Sequence, residues 1–167
     1  MNVLISGASI AGPALALWLH RFGFATTVVE RWPGIRPGGQ AIDVRGVARE
    51  VVRRMGLEDQ VRAACTDTDG FSLVTRNNRR VATMRSHQFG GDGFIAEIEI
   101  LRGDLAEVLS TATKDHTEYL FGDRIESLSD GPEGVEVRFA SGAERRFDLV
   151  VGADGLHSGV RALVFGY

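Results

Sequence analysis

Hydrophobic residues in this chain alternate between unbroken β-branched runs and helical spacing. In the opening stretch, NVLISGASIAGPALALWLHRFGFATTVVER from Asn2 to Arg31, Val3-Leu4-Ile5 is a short apolar block that stops at Gly7. Such a block predicts a strand buried on both faces. Pro13 suits the first turn of a helix, and Leu15, Leu17, Trp18, Leu19 and Phe22 give that helix a broad apolar face ending at Gly23, a cap residue. Thr26-Thr27-Val28-Val29 then predicts a second strand, closed by the acid Glu30.

The following stretch, RWPGIRPGGQAIDVRG, is rich in proline, glycine and arginine and predicts a long loop, with a short strand at Ile42-Asp43-Val44. Val47 to Leu57 has apolar residues at 47, 48, 51, 52 and 55, the spacing of a packing helix that stops at Gly56. Gly70–Arg76 and Arg80–Arg85 read as strands around an Asn77-Asn78 turn, and Phe94–Leu101 as another. The glycine-rich link His87–Gly93 lies between; His87 reads as a surface histidine. Arg102-Gly103-Asp104-Leu105 opens a helix to about Thr113 that buries Leu105, Val108 and Leu109. Four segments follow, TEYLFG, RIESLS, VEVRFA and ERRFDLVVGADG, of which three form an antiparallel meander. The last, Asp148 to Gly152 with its apolar Leu149-Val150-Val151 centre, returns to the buried parallel sheet. A helix capped by Ser158 runs from there to Val164. Fold class is therefore α/β, with a parallel sheet of the dinucleotide-binding kind plus an antiparallel meander.

Length and charge narrow the function. At 167 residues the chain can build a real core, and 44% hydrophobic with 25% charged residues is ordinary for a soluble globular protein. A net charge of −3 gives no sign of nucleic acid or an anionic membrane as partner. Cys65 is the single cysteine, which excludes an internal disulfide and a thiolate metal cluster. With no leader-like or membrane-length apolar run, the expected setting is cytoplasmic.

The candidate chemistry is phosphate binding. Strand, glycine turn, helix, strand and acid is the order of a unit that aims a helix N-terminus at a pyrophosphate and an acid at a ribose. The glycine pattern is incomplete: Gly7, Ser9 and Gly12 stand where three glycines are expected, with Glu30 eighteen residues past Gly12. An ordinary βαβ unit without ligand is the alternative at this point. Gly38-Gly39 permits close backbone approach to a flat ligand, the alternative being a solvated basic loop. Arg102 begins a helix, where a cation gains nothing from the helix dipole, so it points to an anion nearby, the alternative being a solvent-exposed arginine that simply snorkels. The glycines and acid of Gly152-Ala153-Asp154-Gly155 fall at the carboxyl edge of the same sheet, where open α/β sheets bind ligands.

GASIAG at 7–12, Glu30-Arg31, GGQAID at 38–43, LRGDL at 101–105 and DLVVGADGLHSGVR at 148–161 together resemble the single-component FAD monooxygenases of the p-hydroxybenzoate hydroxylase type, in the branch with tetracycline-inactivating and polyketide-tailoring enzymes. The resemblance implies a Rossmann-like FAD-binding fold of the glutathione-reductase type, with residues 66–101 as the first part of a substrate-domain sheet. It implies FAD pyrophosphate at Gly7, Ser9, Ile10, Ala11 and Gly12, the adenosine ribose at Glu30 with Arg31 beside it, and the isoalloxazine and ribityl chain near Gly39 and Asp43. Arg102 would reach the pyrophosphate, and Asp154 with Gly155 would serve FAD and the nicotinamide cofactor, supported by Arg161. Gly122 to Ile125 matches the place where family members bracket adenine. The implied reaction is NAD(P)H-driven hydroxylation of an aromatic or polyketide-like small molecule through a flavin C4a-hydroperoxide, with no catalytic side chain required. Family members are more than twice as long, so the chain is expected to be an N-terminal portion that a further segment or second polypeptide completes. Two other readings remain open: another FAD oxidoreductase of the same fold, such as a halogenase or reductase, and a catalytically inactive dinucleotide-binding module.

Overall fold

The computed structural model describes residues 1–68, 70–85 and 96–166. The chain begins with β1 (Asn2–Ser6), α1 (Ala11–Arg21), β2 (Ala25–Glu30), β3 (Ala41–Asp43), α2 (Gly46–Met55) and α3 (Glu58–Ala63). It continues with β4 (Gly70–Val74), β5 (Arg80–Arg85), β6 (Glu99–Leu101), α4 (Arg102–Thr113) and β7 (Thr117–Phe121). Last come β8 (Ile125–Gly131), β9 (Gly134–Phe139), β10 (Glu144–Phe147), β11 (Leu149–Gly152) and α5 (Gly159–Phe165). Two compact units result: one from residues 1–37 and 106 onward, the other from Gly38–Leu105.

The first unit is built on a parallel sheet in the order β11-β1-β2-β7. Its central strands explain their own sequence: Val3, Leu4, Ile5, Val28 and Val29 are all within 1% of complete burial. The sheet is covered on both faces, so neither side of these strands tolerates a polar residue without a partner. Val3, Ile5 and Val28 pack with Ala16 of α1 on one face. Leu4 and Val29 pack on the other face with Ile125, Val137, Phe139 and Phe147 from the antiparallel meander β10-β9-β8, and with Val160 of α5. Each such aliphatic side chain contributes about 1.5–3 kcal/mol on burial. Two of the buried polar positions in this sheet answer each other, with Thr26 and Thr117 hydroxyls 2.8 Å apart across the β2–β7 ladder.

The meander consists of RIESLS, VEVRFA and the ERRF part of the last segment, whereas TEYLF joins the parallel sheet as its β7 edge. The expected single run ERRFDLVV breaks at Asp148, whose N–H donates to the Asn2 carbonyl and starts the β11 pairing with β1. Helix α1 ends at Arg21, so Phe22 falls outside its apolar face and is 75% exposed. Gly23, at φ +80°, turns the chain into β2.

The second unit holds two antiparallel pairs, β3–β6 and β4–β5. Helix α2 buries Val52 and Met55 and stops at Gly56 in the left-handed conformation, as the sequence predicts, but Val47 in its first turn is exposed. The short α3 was not anticipated. It is held by ion pairs of Arg62 with Glu58 at 3.0 Å and Glu97 at 3.2 Å. The β4–β5 hairpin turns at Asn78, which has φ +57°, and is a residue or two shorter at β4 than expected, ending in an irregular step at Leu73/Val74. Of the expected Phe94–Leu101 strand, Glu99–Leu101 is observed, and Phe94, Ile95 and the His87–Gly93 link lie outside the described residues. No helix among the described residues is long and apolar enough to cross a membrane.

Candidate cofactor site at the carboxyl edge of the sheet

In the first unit, β1 is followed by α1 and β2 on one side, while β11 pairs on its other side. The direction of winding reverses there, so the β1/β11 carboxyl ends form the crevice where open α/β sheets bind ligands. The loop after β1 is fixed by contacts that only glycine permits. Gly7 sits at φ +109°, and a Cβ there would lie 2.6 Å from the Ala153 carbonyl oxygen. A Cβ on Gly12 would lie 1.9 Å from the Gly7 carbonyl oxygen. The first and third glycines of the motif thus bring strand, loop and helix together, a demand made by the chain on itself. Ser9 stands at the second position, the one that would face a phosphate.

Helix α1 begins at this loop with Ile10 as N-cap, no side-chain cap and no acidic residue in its first turn. Pro13 in that turn has no N–H to satisfy. The positive end of the helix therefore carries no counter-charge from its own first turn, which suits an anion. Glu30, at the end of β2, is tied to the same loop. One carboxylate oxygen accepts the Ala8 N–H at 2.9 Å and the other the Trp32 N–H at 3.0 Å. The acid is thereby held beside the glycine turn, with Arg31 exposed next to it.

The neighbouring β7–β8 turn docks on this corner. Gly122 N–H donates to the Trp32 carbonyl at 2.8 Å and Asp123 N–H to the Glu30 carbonyl at 3.2 Å. Burial works against ionised Asp123, but the Ser141 hydroxyl and several backbone N–H groups hold its carboxyl below the usual carboxylate range. Its Oδ2 accepts the Ser141 hydroxyl at 2.6 Å, which locks this turn to the meander.

At the end of β11, Asp154 faces inward to its own chain. Its carboxylate accepts the Gly159 N–H at 2.8 Å, the Val160 N–H at 3.2 Å, the Ser6 hydroxyl at 3.4 Å and the Ser158 hydroxyl. It caps α5 and ties that helix to the end of β1. Ser158 adds its own cap bond from Arg161 N–H, and the Arg161 guanidinium donates to the Leu156 carbonyl at 2.6 Å, so Arg161 braces the Asp154-Gly155 loop and not the carboxylate itself. Gly155, at φ +80°, makes the turn.

Gly7, Ser9, Ile10, Ala11, Gly12, Glu30, Arg31, Asp154, Gly155 and Arg161 thus lie on loops and the adjoining ends of helices and strands in the first unit. Gly39, Asp43 and Arg102 belong to the second. There Gly39, at φ +94°, packs against Arg102, and the first N–H groups of α4 are taken by the loop carbonyls: Arg102 to Gln40 at 3.1 Å and Gly103 to Gly38 at 2.7 Å. Asp43 pairs with Arg45 at 2.7 Å and stands opposite Glu99 in the ladder. Hydrogen bonds from Thr68 and Thr66 hold the Glu99 carboxyl below its ordinary range. Sequence reasoning missed Trp32 and the Ser6–Asp154 and Asp123–Ser141 links; each joins residues far apart in the chain, except Trp32, whose indole beside the acid was a readable signal.

The family described as FAD binding domain matches residues 1–165. The chain belongs to that family. The FAD-binding domain is 52% identical over 166 residues to an uncharacterized protein of Mycobacterium tuberculosis, covering 99% of this chain and 45% of that one. It is 38% identical to the FAD-dependent monooxygenase asL4 of Sarocladium schorii, over 99% of this chain and 39% of that protein. Among solved structures, the tetracycline destructase Tet(55) superposes with a TM-score of 0.84 at 39% identity, over 98% of this chain and 40% of that one. The chain therefore spans less than half the length of these relatives. The edge described above fits FAD: an uncapped helix start for the diphosphate and an acid fixed beside it for a ribose.

Proposed function

We propose that this FAD-binding domain is the N-terminal portion of an FAD-dependent monooxygenase that uses NAD(P)H and molecular oxygen to hydroxylate an aromatic or polyketide-like small molecule. Residues 66–101 are taken as the first part of its substrate-domain sheet, and a further segment or a second polypeptide as what completes the pocket. The reading rests on one observation: the α1 start, without cap or acid in its first turn, lies on the same loop that holds Glu30. In this role the N–H groups of Ser9 to Gly12 bind the FAD diphosphate and Glu30 accepts hydrogen bonds from the ribose hydroxyls, with Arg31 alongside. Gly7 and Gly12 keep the loop tight against the sheet. Gly39, Asp43 and Arg102 serve the flavin half. Asp154, Gly155 and Arg161 shape the loop beside the cofactor. Bound flavin supplies the redox and oxygen chemistry, so that one oxygen atom enters the substrate and the other leaves as water. The protein's share is to position the ring and exclude water, and no side chain of this chain is assigned a catalytic role. The reading includes a cytoplasmic setting, where reduced nicotinamide is supplied.

Titration of the purified chain with FAD, read by flavin absorbance, tests the binding half. NADH or NADPH oxidation, oxygen uptake and the product's gain of one oxygen atom test the rest, with a tetracycline as first substrate because tetracycline destructases are among the relatives. The expected result is weak flavin binding by this chain and turnover only with the completing segment. Substrate-dependent oxygen uptake by residues 1–167 alone would refute the incompleteness, and failure of any form to bind FAD would refute the whole assignment.

A further inference from the structure

We infer that Trp32, backed by Arg36, is the platform on which the adenine ring of the dinucleotide stacks, an inference that rests on the FAD reading above. Three observations carry it. First, Trp32 is fixed in place by its backbone: its N–H donates to the Glu30 carboxylate at 3.0 Å and its carbonyl accepts the Gly122 N–H at 2.8 Å. It is thus a rigid position touching the acid assigned to the ribose, and a base joined to that ribose lies within reach of the next side chain. Second, Trp32 stays 46% exposed although the unit has a large core, so it is not there to fill that core. Third, the Arg36 guanidinium lies 5.2 Å from the indole centroid, which orients the ring and adds a cation to an aromatic surface. Phe121, at the end of β7, is engaged elsewhere, since it stacks on Tyr119 with centroids 5.4 Å apart. An exposed aromatic with an adjacent guanidinium is the means by which proteins hold a nucleobase by its face.

The test compares two small molecules that differ only in the base. ADP carries diphosphate, ribose and adenine; ribose 5-diphosphate carries the first two. Trp32→Leu keeps both backbone hydrogen bonds, because they come from the peptide groups, and should weaken ADP about 5- to 100-fold while leaving ribose 5-diphosphate unchanged. Trp32→Phe, which keeps a smaller aromatic face, should recover part of the loss. In a Trp18→Phe background, where Trp32 is the one remaining tryptophan, ADP should quench its fluorescence and ribose 5-diphosphate should not. Calorimetry on the parent supplies the independent measure of binding. If ADP binds the parent and Trp32→Leu equally, without quenching, the platform is wrong and the FAD assignment stands. If neither ADP nor FAD binds the parent, both fall together.

Discussion

Replacing Gly12 by alanine sets two physical effects of opposite sign against each other. Gly12 is in the first turn of α1, where alanine is favoured over glycine by up to about 1 kcal/mol on helix propensity alone. The added Cβ, however, would lie 1.9 Å from the Gly7 carbonyl oxygen and 3.1 Å from its carbonyl carbon, both backbone atoms. The loop cannot retreat freely, since the Gly7 N–H is bonded to the Val29 carbonyl at 2.8 Å and Gly7 itself lies against Ala153. Overpacking of this kind costs about 1–3 kcal/mol and more when backbone must shift, so the net loss should be about 2 kcal/mol or more. With urea m-values of about 1–3 kcal/mol/M, the midpoint should fall by about 1–2 M. Tryptophan fluorescence is the right reporter, because both Trp18 and Trp32 belong to the first unit. Gly159→Ala is the control: it enters the first turn of α5 on the same sheet edge, and its Cβ would meet only Asp154 Oδ2, at an ordinary 3.7 Å. It should leave the midpoint unchanged or raise it. An unchanged or higher midpoint for Gly12→Ala would refute the view that this loop is sterically locked.

Other expectations concern the same unit. Thr117→Val should cost about 1–3 kcal/mol in urea unfolding, because it strands the buried Thr26 hydroxyl, whereas the double variant Thr26→Val/Thr117→Val should recover most of that loss. Asp154→Ala should destabilise by about 1–2 kcal/mol through loss of the α5 cap bonds, more than Asp154→Asn, and a thermal melt without change in either variant would contradict the capping role. His116 stacks on His20 with ring centroids 3.6 Å apart, and burial, then the neighbouring His20, lowers its pKa from the ordinary 6.5, with Asp115 opposing. A lowered folded value means the unfolded chain takes up the proton first, so stability is full above pH 6.5 and lost as pH falls below it. The urea midpoint should therefore drop as pH falls below 6.5, and His116→Gln should flatten that dependence.

The β1-α1-β2 unit was readable from sequence because its signals are local: an apolar block buried on both faces, a glycine turn, a helical face and a β-branched run ending in an acid. Gly56 and Ser158 were equally legible, since a left-handed stop and a hydroxyl cap act within one turn. Membership of the strands was not. Thr117–Phe121 and Glu144–Phe147 have similar alternating patterns, and only pairing with β2 or β9, far away in sequence, sends one to the parallel sheet and the other to the meander. Helix α3 was missed because six residues hold too little periodicity, and its hold on Glu97 is non-local. In the candidate site, spacing drew attention to Gly7, Gly12 and Glu30, but it could not reveal that Asp154, which accepts bonds from the start of α5, also meets the hydroxyl of Ser6, 148 residues away.

The second unit leaves and rejoins the chain through residues that touch, since the Gly103 N–H meets the Gly38 carbonyl at 2.7 Å. A closed doorway of this kind makes the segment between its posts, apart from Gly39, Asp43 and Arg102 at its ends, a place that evolution or an engineer can lengthen, shorten or replace without moving the posts. Diversity in what such proteins recognise can then accumulate in the inserted segment, with the nucleotide-holding edge inherited intact.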